Sequence, residues 1–288
     1  MSNVILVAET GSDIPVETAK KYGIYLVPMH VSFGDTTLDD GSFPVEKIYN
    51  YYDETGKIPK TSACSPTDFQ KVFDEIHAQW PQKHILHLAY SAITTASYQS
   101  AVLAAADRDY VTSIDTKHVS FGQAAIVIGL AQKLEANPEM TLDATIELAN
   151  QFCRDARMAF LPDDLAYLRA GGRVSNVAYM GSRLLHLHPT IEILDGLLVA
   201  TTKRRGNLSK IVPRIIREYS QSQELDKELL YLGSTAGLKE EVKRAAEAEA
   251  KQCGFQKVVW IQAGCVITTH GGPGAFGIVG FSRSSPVV

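Results

Sequence analysis

No two of the four cysteines in this 288-residue chain stand in a C-x-x-C or C-x-x-H spacing. Neither a zinc site nor a redox pair is indicated, and Cys64, Cys153, Cys253 and Cys265 read as small core residues. Basic charge is also scarce: 28 Lys and Arg against 32 Asp and Glu leave a net charge of −4, with no dense basic run. That removes the electrostatic basis for gripping nucleic acid. No apolar run is long enough to span a bilayer, and "MSNVILVAETGSD" lacks the basic and long apolar regions of a secretory signal, so a cytoplasmic protein without a transmembrane segment is expected. Missing too are G-x-x-x-x-G-K-[ST], G-x-S-x-G and H-E-x-x-H, the motifs of phosphate cradling, serine hydrolysis and zinc hydrolysis. Gly272, Gly274 and Gly277 do match G-x-G-x-x-G, but the strand-like "IVGF" follows where a dinucleotide fingerprint needs a helix.

What is present is material for a large core. Hydrophobic residues make up 45% of the chain and charged residues 21%, and 288 residues exceed the size at which one core stops growing, so two domains are expected. "NVILVAE" is an apolar run closed by "TGSD" and followed by a Pro-led helical segment to Gly23, a strand-turn-helix start. "IYLVPMHVSF" reads as one strand. "FPVEKIYNYYDETG" reads as a helix, as does "SPTDFQKVFDEI", with Ser65 as cap and Pro66 in its first turn. Strands "HILHLAYS" and "YVTSIDT" enclose a helix over "TTASYQSAVLAAADR", and two longer helices, "SFGQAAIVIGLAQKLEAN" and "TLDATIELANQFCRDA", follow. This alternation predicts a mostly parallel α/β domain over residues 1–156. Beyond it "PTIEILDGLLVATTK" carries Asp-Gly between two strand-like runs, a hairpin, so residues 157–288 are read as a second α/β domain with a mixed or antiparallel sheet. Its other elements are helices at "NLSKIVPRIIREYS" and "LKEEVKRAAEAEAKQ" and strands at "ELLYLGS", "KVVWIQAG" and "AFGIVGF".

Several stretches carry candidate chemistry. "TTHGGPGAFG" places His270 among glycines, which permit backbone close to a ligand as readily as a tight turn. "PKTSACSPTDF" and "AYSAITTASYQSA" bring hydroxyls to helix starts, and Thr95 is placed to cap the helix beginning near Ala96, either as a plain cap or as an anion seat. "YLRAGGRVS" and "TTKRRGNLSK" add local basic patches, Arg169 and Arg173 in one, Lys203, Arg204 and Arg205 in the other. His84 with His87, and His186 with His188, are read as surface or partly buried residues rather than metal ligands, and no metal is expected.

In order along the chain, "VAETGSDIP", "PKTSACSPTDF", "SAITTASYQSA", "DDLAYLRAGGRVS", "GSRLLHLHP" followed by "DG", "KRRG" and "HGGPGAFGI" resemble the DegV family of bacterial fatty-acid-binding proteins. The resemblance runs nearly end to end. It implies a two-domain α/β fold holding one long-chain fatty acid between the domains, with no cofactor. The carboxylate would be bound by Thr61 with Ser62, by Thr95 with the amide of Ala96, and by His270. It further implies a non-catalytic subunit that presents the lipid to a separate ATP-binding fatty acid kinase subunit, with Arg173 and Arg205 facing that kinase. The loop Thr94-Thr95-Ala96-Ser97 stands where the family usually has Leu-Ser-Gly-Thr, and His188 where a lysine is usual. A different reading of the same side chains is a hydrolase or acyltransferase using Ser/Thr with His270 as base.

Overall fold

The computed structural model describes residues 2–172 and 187–282. Strand β1, Val4–Glu9, is buried along its whole length, as a central strand covered on both faces must be, and its apolar run reflects that. It ends in a 3-10 turn at Thr10–Ser12 and Asp13 at φ 60°, after which helix α1, Val16–Tyr22, closes on Gly23 at φ 64°. β2 (Tyr25–Val27) and β6 (His84–Ala89) pair with it in parallel and β7 (Val111–Asp115) pairs in parallel with β6, giving the order β2-β1-β6-β7.

The run Ile24 to Phe33, expected as one strand, is two. Pro28, which has no N–H to donate, divides β2 from β3, His30–Phe33, and β3 leaves for a small antiparallel sheet. That sheet has the order β4-β3-β5, with β4 at Thr36–Asp39 and β5 at Lys60–Ser62. Helix α2, Glu46–Thr55, lies between β4 and β5 in sequence. Helix α3, Pro66–Gln79, begins as its sequence predicts: Ser65 Oγ accepts from the Asp68 amide at 3.2 Å while Asp68 returns a carboxylate to the Ser65 amide at 2.7 Å. Helix α4, Ser97–Ala104, follows β6.

Two helices, α5 (Ser120–Ala136) and α6 (Leu142–Asp155), precede the second sheet. Its strands are β8 (Ala156–Leu161), β9 (Leu187–Leu194), β10 (Leu197–Arg205), β11 (Leu229–Ser234), β12 (Lys257–Gln262) and β13 (Phe276–Phe281), in the order β10-β9-β8-β13-β11-β12. The β11–β12 pairing is parallel and the others are antiparallel, so the sheet is mixed. The Asp-Gly hairpin forms as read, with Asp195 at φ 47° and Gly196 at φ 85°, both positive as a two-residue turn of this twist requires. Helices α7 (Ala166–Ala170), α8 (Leu208–Ser222), α9 (Glu240–Gln252) and α10 (Cys265–Gly271) complete the described elements.

The layers explain the burial. Helices α3 and α4 cover one face of the parallel sheet around Phe69, Phe73 and Ile85, and α8 and α9 cover the outer face of the mixed sheet around Ile215, Leu232 and Ile278. Between the sheets runs α5, apolar all round as a helix enclosed by protein must be. Its side chains share one core with Leu6, Leu86 and Leu88 of the first sheet and Met158, Tyr231 and Val279 of the second. The second sheet begins with β8 at Ala156. Chain order and packing then part company. α10, which follows β12, buries Cys265 and Val266 against Val27, Met29 and Val31 of the N-terminal half.

Candidate functional site

The pairing of β5 with β3 puts Thr61 opposite Val31 and Ser62 opposite His30, at the edge of the small sheet that faces α10. α10 carries His270 in its last turn, and His270 Nε2 lies 2.8 Å from Thr61 Oγ1. The two residues are 209 positions apart in sequence and meet only because α10 crosses between the halves. Two buried carboxylates fix that crossing. Asp13 accepts from the Gly264 amide at 2.7 Å, and Asp40 accepts from the Cys265 amide at 2.9 Å and the Val266 amide at 3.3 Å. These are orphan donors of a helix start, and acidic partners there are also favoured by the helix dipole.

Burial pushes the Asp13 carboxyl well above the ordinary range, against hydrogen bonds from Ser120 and Gly264, and neighbouring Asp40 adds to the rise. Asp40 is raised for the same first reason, although the Thr10 hydroxyl and the amides of Val266, Cys265 and Gly41 pull the other way. Glu9 is the contrasting case. Burial would raise it too, but His87, Gln123 and the Tyr90 amide together hold it below the usual value. His87, read from sequence as a surface or partly buried residue, is fully buried beside Glu9, with Nε2 at 3.4 Å from Oε1. Its side of β6 faces the α3 packing layer, where the Phe69 ring lies 4.9 Å away, tilted at 59°.

Thr95 reaches the same place by a different route. The Thr95 hydroxyl accepts from the Ser97 amide at 3.4 Å and sits 3.3 Å from Ser97 Oγ, and Ser97 Oγ accepts from the Cys64 amide at 3.3 Å. The loop before α4 is thereby tied to the segment just after Ser62. Thr61, Ser62, Thr95 and His270 all line one cavity of about 910 Å³, part of it open to solvent. Ala96, by contrast, is exposed and outside the cavity lining. Thr94, Ser120 and Thr235 add hydroxyls that the sequence reading missed, and only Thr94, beside Thr95, had a signal. Apart from Tyr90, which brings a phenol, the rest of the lining is apolar, from both halves: Met29, Val119 and Phe121 on one side, Met158, Phe160, Leu168 and Leu198 on the other. Among the described lining residues there is no Lys, Arg, Asp or Glu.

The glycines around His270 each have a separate reason. Gly272 and Gly274 turn the chain out of α10 at φ 67° and 76°. A Cβ on Gly277 would meet the Phe121 ring at 2.7 Å. The least expected is Gly171 of the "AGGR" stretch, where a Cβ would stand 2.3 Å from His270 Nδ1, so this glycine is the floor on which the imidazole rests. Arg205, exposed, ends β10. Arg173 lies outside the described residues, as does His186. Among the described residues no group of His, Cys, Asp and Glu is placed to hold a metal ion, and no helix is long and apolar enough to cross a membrane.

A family model, DegV, described as uncharacterised proteins of the DegV family, matches residues 3–283. The chain belongs to the DegV family. A DegV domain-containing protein of Caldanaerobacter subterraneus subsp. tengcongensis is 28% identical over 284 residues, covering 96% of this chain and 98% of its own. A solved structure described as fatty acid binding of a DegV family protein from Thermus thermophilus superposes with a TM-score of 0.86 at 26% identity, covering 97% of this chain and 99% of that one. The Streptococcus pneumoniae fatty acid kinase (Fak) B3 protein loaded with linoleic acid shares the fold, with a TM-score of 0.83 at 15% identity over 98% of this chain and 99% of that one. The DegV fold, a parallel sheet and a mixed sheet with helices on their faces, is therefore the fold of this chain.

Proposed function

We propose that this DegV chain binds one long-chain fatty acid in the cavity between its two sheets and presents the carboxylate to a separate ATP-binding kinase subunit, which converts it to acyl-phosphate. The reading rests on one observation: hydroxyls, Tyr90 included, and an imidazole from distant segments share a lining whose remainder is apolar and which, among described residues, has no Lys, Arg, Asp or Glu. A carboxylate buried without partners is prohibitive, whereas Thr61, Ser62, Thr95 and His270 would supply donors without a fixed guanidinium. A headgroup held that way keeps an oxygen free to attack a phosphoryl donor. The tail supplies the affinity, since fourteen methylenes at roughly 0.8 kcal/mol each would gain on the order of 11 kcal/mol before entropic costs. The fatty acids bound by the Thermus and Streptococcus proteins support the ligand class, and the kinase name of the latter supports the partner. Arg205, and Arg173 outside the described residues, are the proposed kinase contacts. A non-enzymatic role and a cytoplasmic location belong to the same proposal.

Mass spectrometry of an organic extract of the purified protein is the test. Copurified long-chain fatty acid is expected, and its absence together with no binding of added palmitate or oleate would remove the reading. With a fatty acid kinase subunit and ATP, Arg205→Ala is expected to retain lipid while losing acyl-phosphate formation. The Thr61–His270 distance of 2.8 Å also fits a nucleophile and base, which keeps the hydrolase reading open to test. Turnover of a chromogenic acyl ester, abolished in His270→Ala, would favour it.

A further inference from the structure

Phe121 is the second residue of α5, is 5% exposed, and lines the cavity. Its ring lies on the mixed sheet at a place that has no side chains. Gly233 of β11 and Gly277 of β13 are register partners there, and a Cβ on either would meet the ring, at 2.0 Å and 2.7 Å respectively. The strand register locates this seat. Thr235 and Ala275 exchange backbone and hydroxyl hydrogen bonds at 3.1 and 2.9 Å, and Thr235 touches the Gly271 position beside His270. Gly233 and Gly277 are two residues further down the same strands, about 7 Å away on the same face. The ring is therefore set along the mixed sheet from the end of the cavity that holds Thr235 and His270. On the other side of Gly277 its register partner Phe160 lines the same cavity, with Met158 one step further along β8.

The geometry points to Phe121, held down by the Gly233–Gly277 seat, as the residue that sets the length of acyl chain this cavity accepts. The inference rests on the fatty-acid reading of the site. Removing the ring deepens the cavity, while a methyl at position 233 lifts the ring into it. Gly233 is not in the left-handed region, so alanine fits its backbone, and the three atoms its Cβ would meet first all belong to the ring.

The experiment measures Kd for saturated acids from lauric to arachidic with wild type, Phe121→Ala, Phe121→Leu, Gly233→Ala and the double variant Phe121→Ala/Gly233→Ala. Phe121→Ala is expected to gain roughly fifteenfold, the burial of two methylenes, for chains two carbons longer than the wild-type optimum. Gly233→Ala is expected to move the optimum to shorter chains, and the double variant to behave as Phe121→Ala. Should Phe121→Ala fail to fold, Phe121→Leu is expected to shift the optimum in the same direction by less. An unchanged length profile in both Phe121 variants, or a Gly233→Ala penalty that persists once the ring is gone, overturns the inference while leaving fatty-acid binding intact. Wild type that binds no acid of any length overturns the reading of the site, and this inference with it.

Discussion

His270 and Thr61 form the direct link across the site, and their substitutions separate the parts of a headgroup grip. Thr61→Val keeps the shape and deletes a hydroxyl, so oleate Kd measured by calorimetry is expected to weaken roughly tenfold to a hundredfold, the worth of one hydrogen bond to a charged group. His270→Ala removes a donor to a charged group and is expected to weaken it by about tenfold to a hundredfold. Gly171→Ala tests the imidazole's support without touching its chemistry. At φ −79° the backbone accepts alanine, but the new Cβ would stand 2.3 Å from Nδ1 and must displace the ring. Oleate affinity is expected to fall towards that of His270→Ala with little change in thermal midpoint, and wild-type affinity would show that the ring's position does not matter. At this scale the sequence was informative about identity and silent about cause. "AGGR" and "HGGPGAFG" are recognisable as glycine clusters, but that Gly171 supports the imidazole and Gly277 the Phe121 ring depends on contacts between segments about a hundred or more residues apart.

Among the elements, α10 is the one the sequence hid. "TTHGGPGAFG" reads as a glycine-rich turn, yet Cys265–Gly271 is helical, too short and too lacking in polar periodicity to be seen as such. It is stable because Asp13 and Asp40 satisfy its first amides, a tertiary substitute for a local cap. Asp40→Ala leaves the buried Cys265 and Val266 amides without that acceptor and is expected to cost about 1–3 kcal/mol in urea denaturation. Asp13 makes a pH prediction. Because its folded value is raised above the ordinary 3.8, its contribution is complete below that value and is lost as pH rises through the folded one. Asp13→Asn keeps an acceptor for Gly264 and removes the ionisable group. Its thermal midpoint is expected to decline less than that of wild type from weakly acid to neutral and alkaline pH, and parallel curves would show that the carboxyl does not titrate there.

For the whole molecule the consequence of α5 is cooperativity. A chain of two sheets joined by a linker would melt in two steps, but here one helix carries core shared by both. Trp80, at the end of α3, and Trp260, on β12, report the two halves separately. Fluorescence of Trp80→Phe and Trp260→Phe is expected to give coincident urea transitions. Ile126→Ala, which opens a cavity at a fully buried position of α5, is expected to lower both midpoints together by about 2–5 kcal/mol of stability. Separate midpoints would mean that the halves fold independently.

Local chemistry alone determined most of the elements: the capping box at Ser65, the Asp195-Gly196 hairpin, the apolar β1 and the all-round apolar α5 are each written in a few adjacent residues. The resemblance of seven ordered motifs likewise carried the family without coordinates. What tertiary structure decided is which distant segments meet. Thr61 and His270, Asp13 and Gly264, and Phe121 with its paired glycines are contacts between residues separated by 100 positions or more, and periodicity reports only neighbours along the chain. A cavity lining and a core look alike in sequence, because both are apolar side chains withdrawn from water. Only the packing of two sheets around one helix distinguishes the space left empty from the space that is filled.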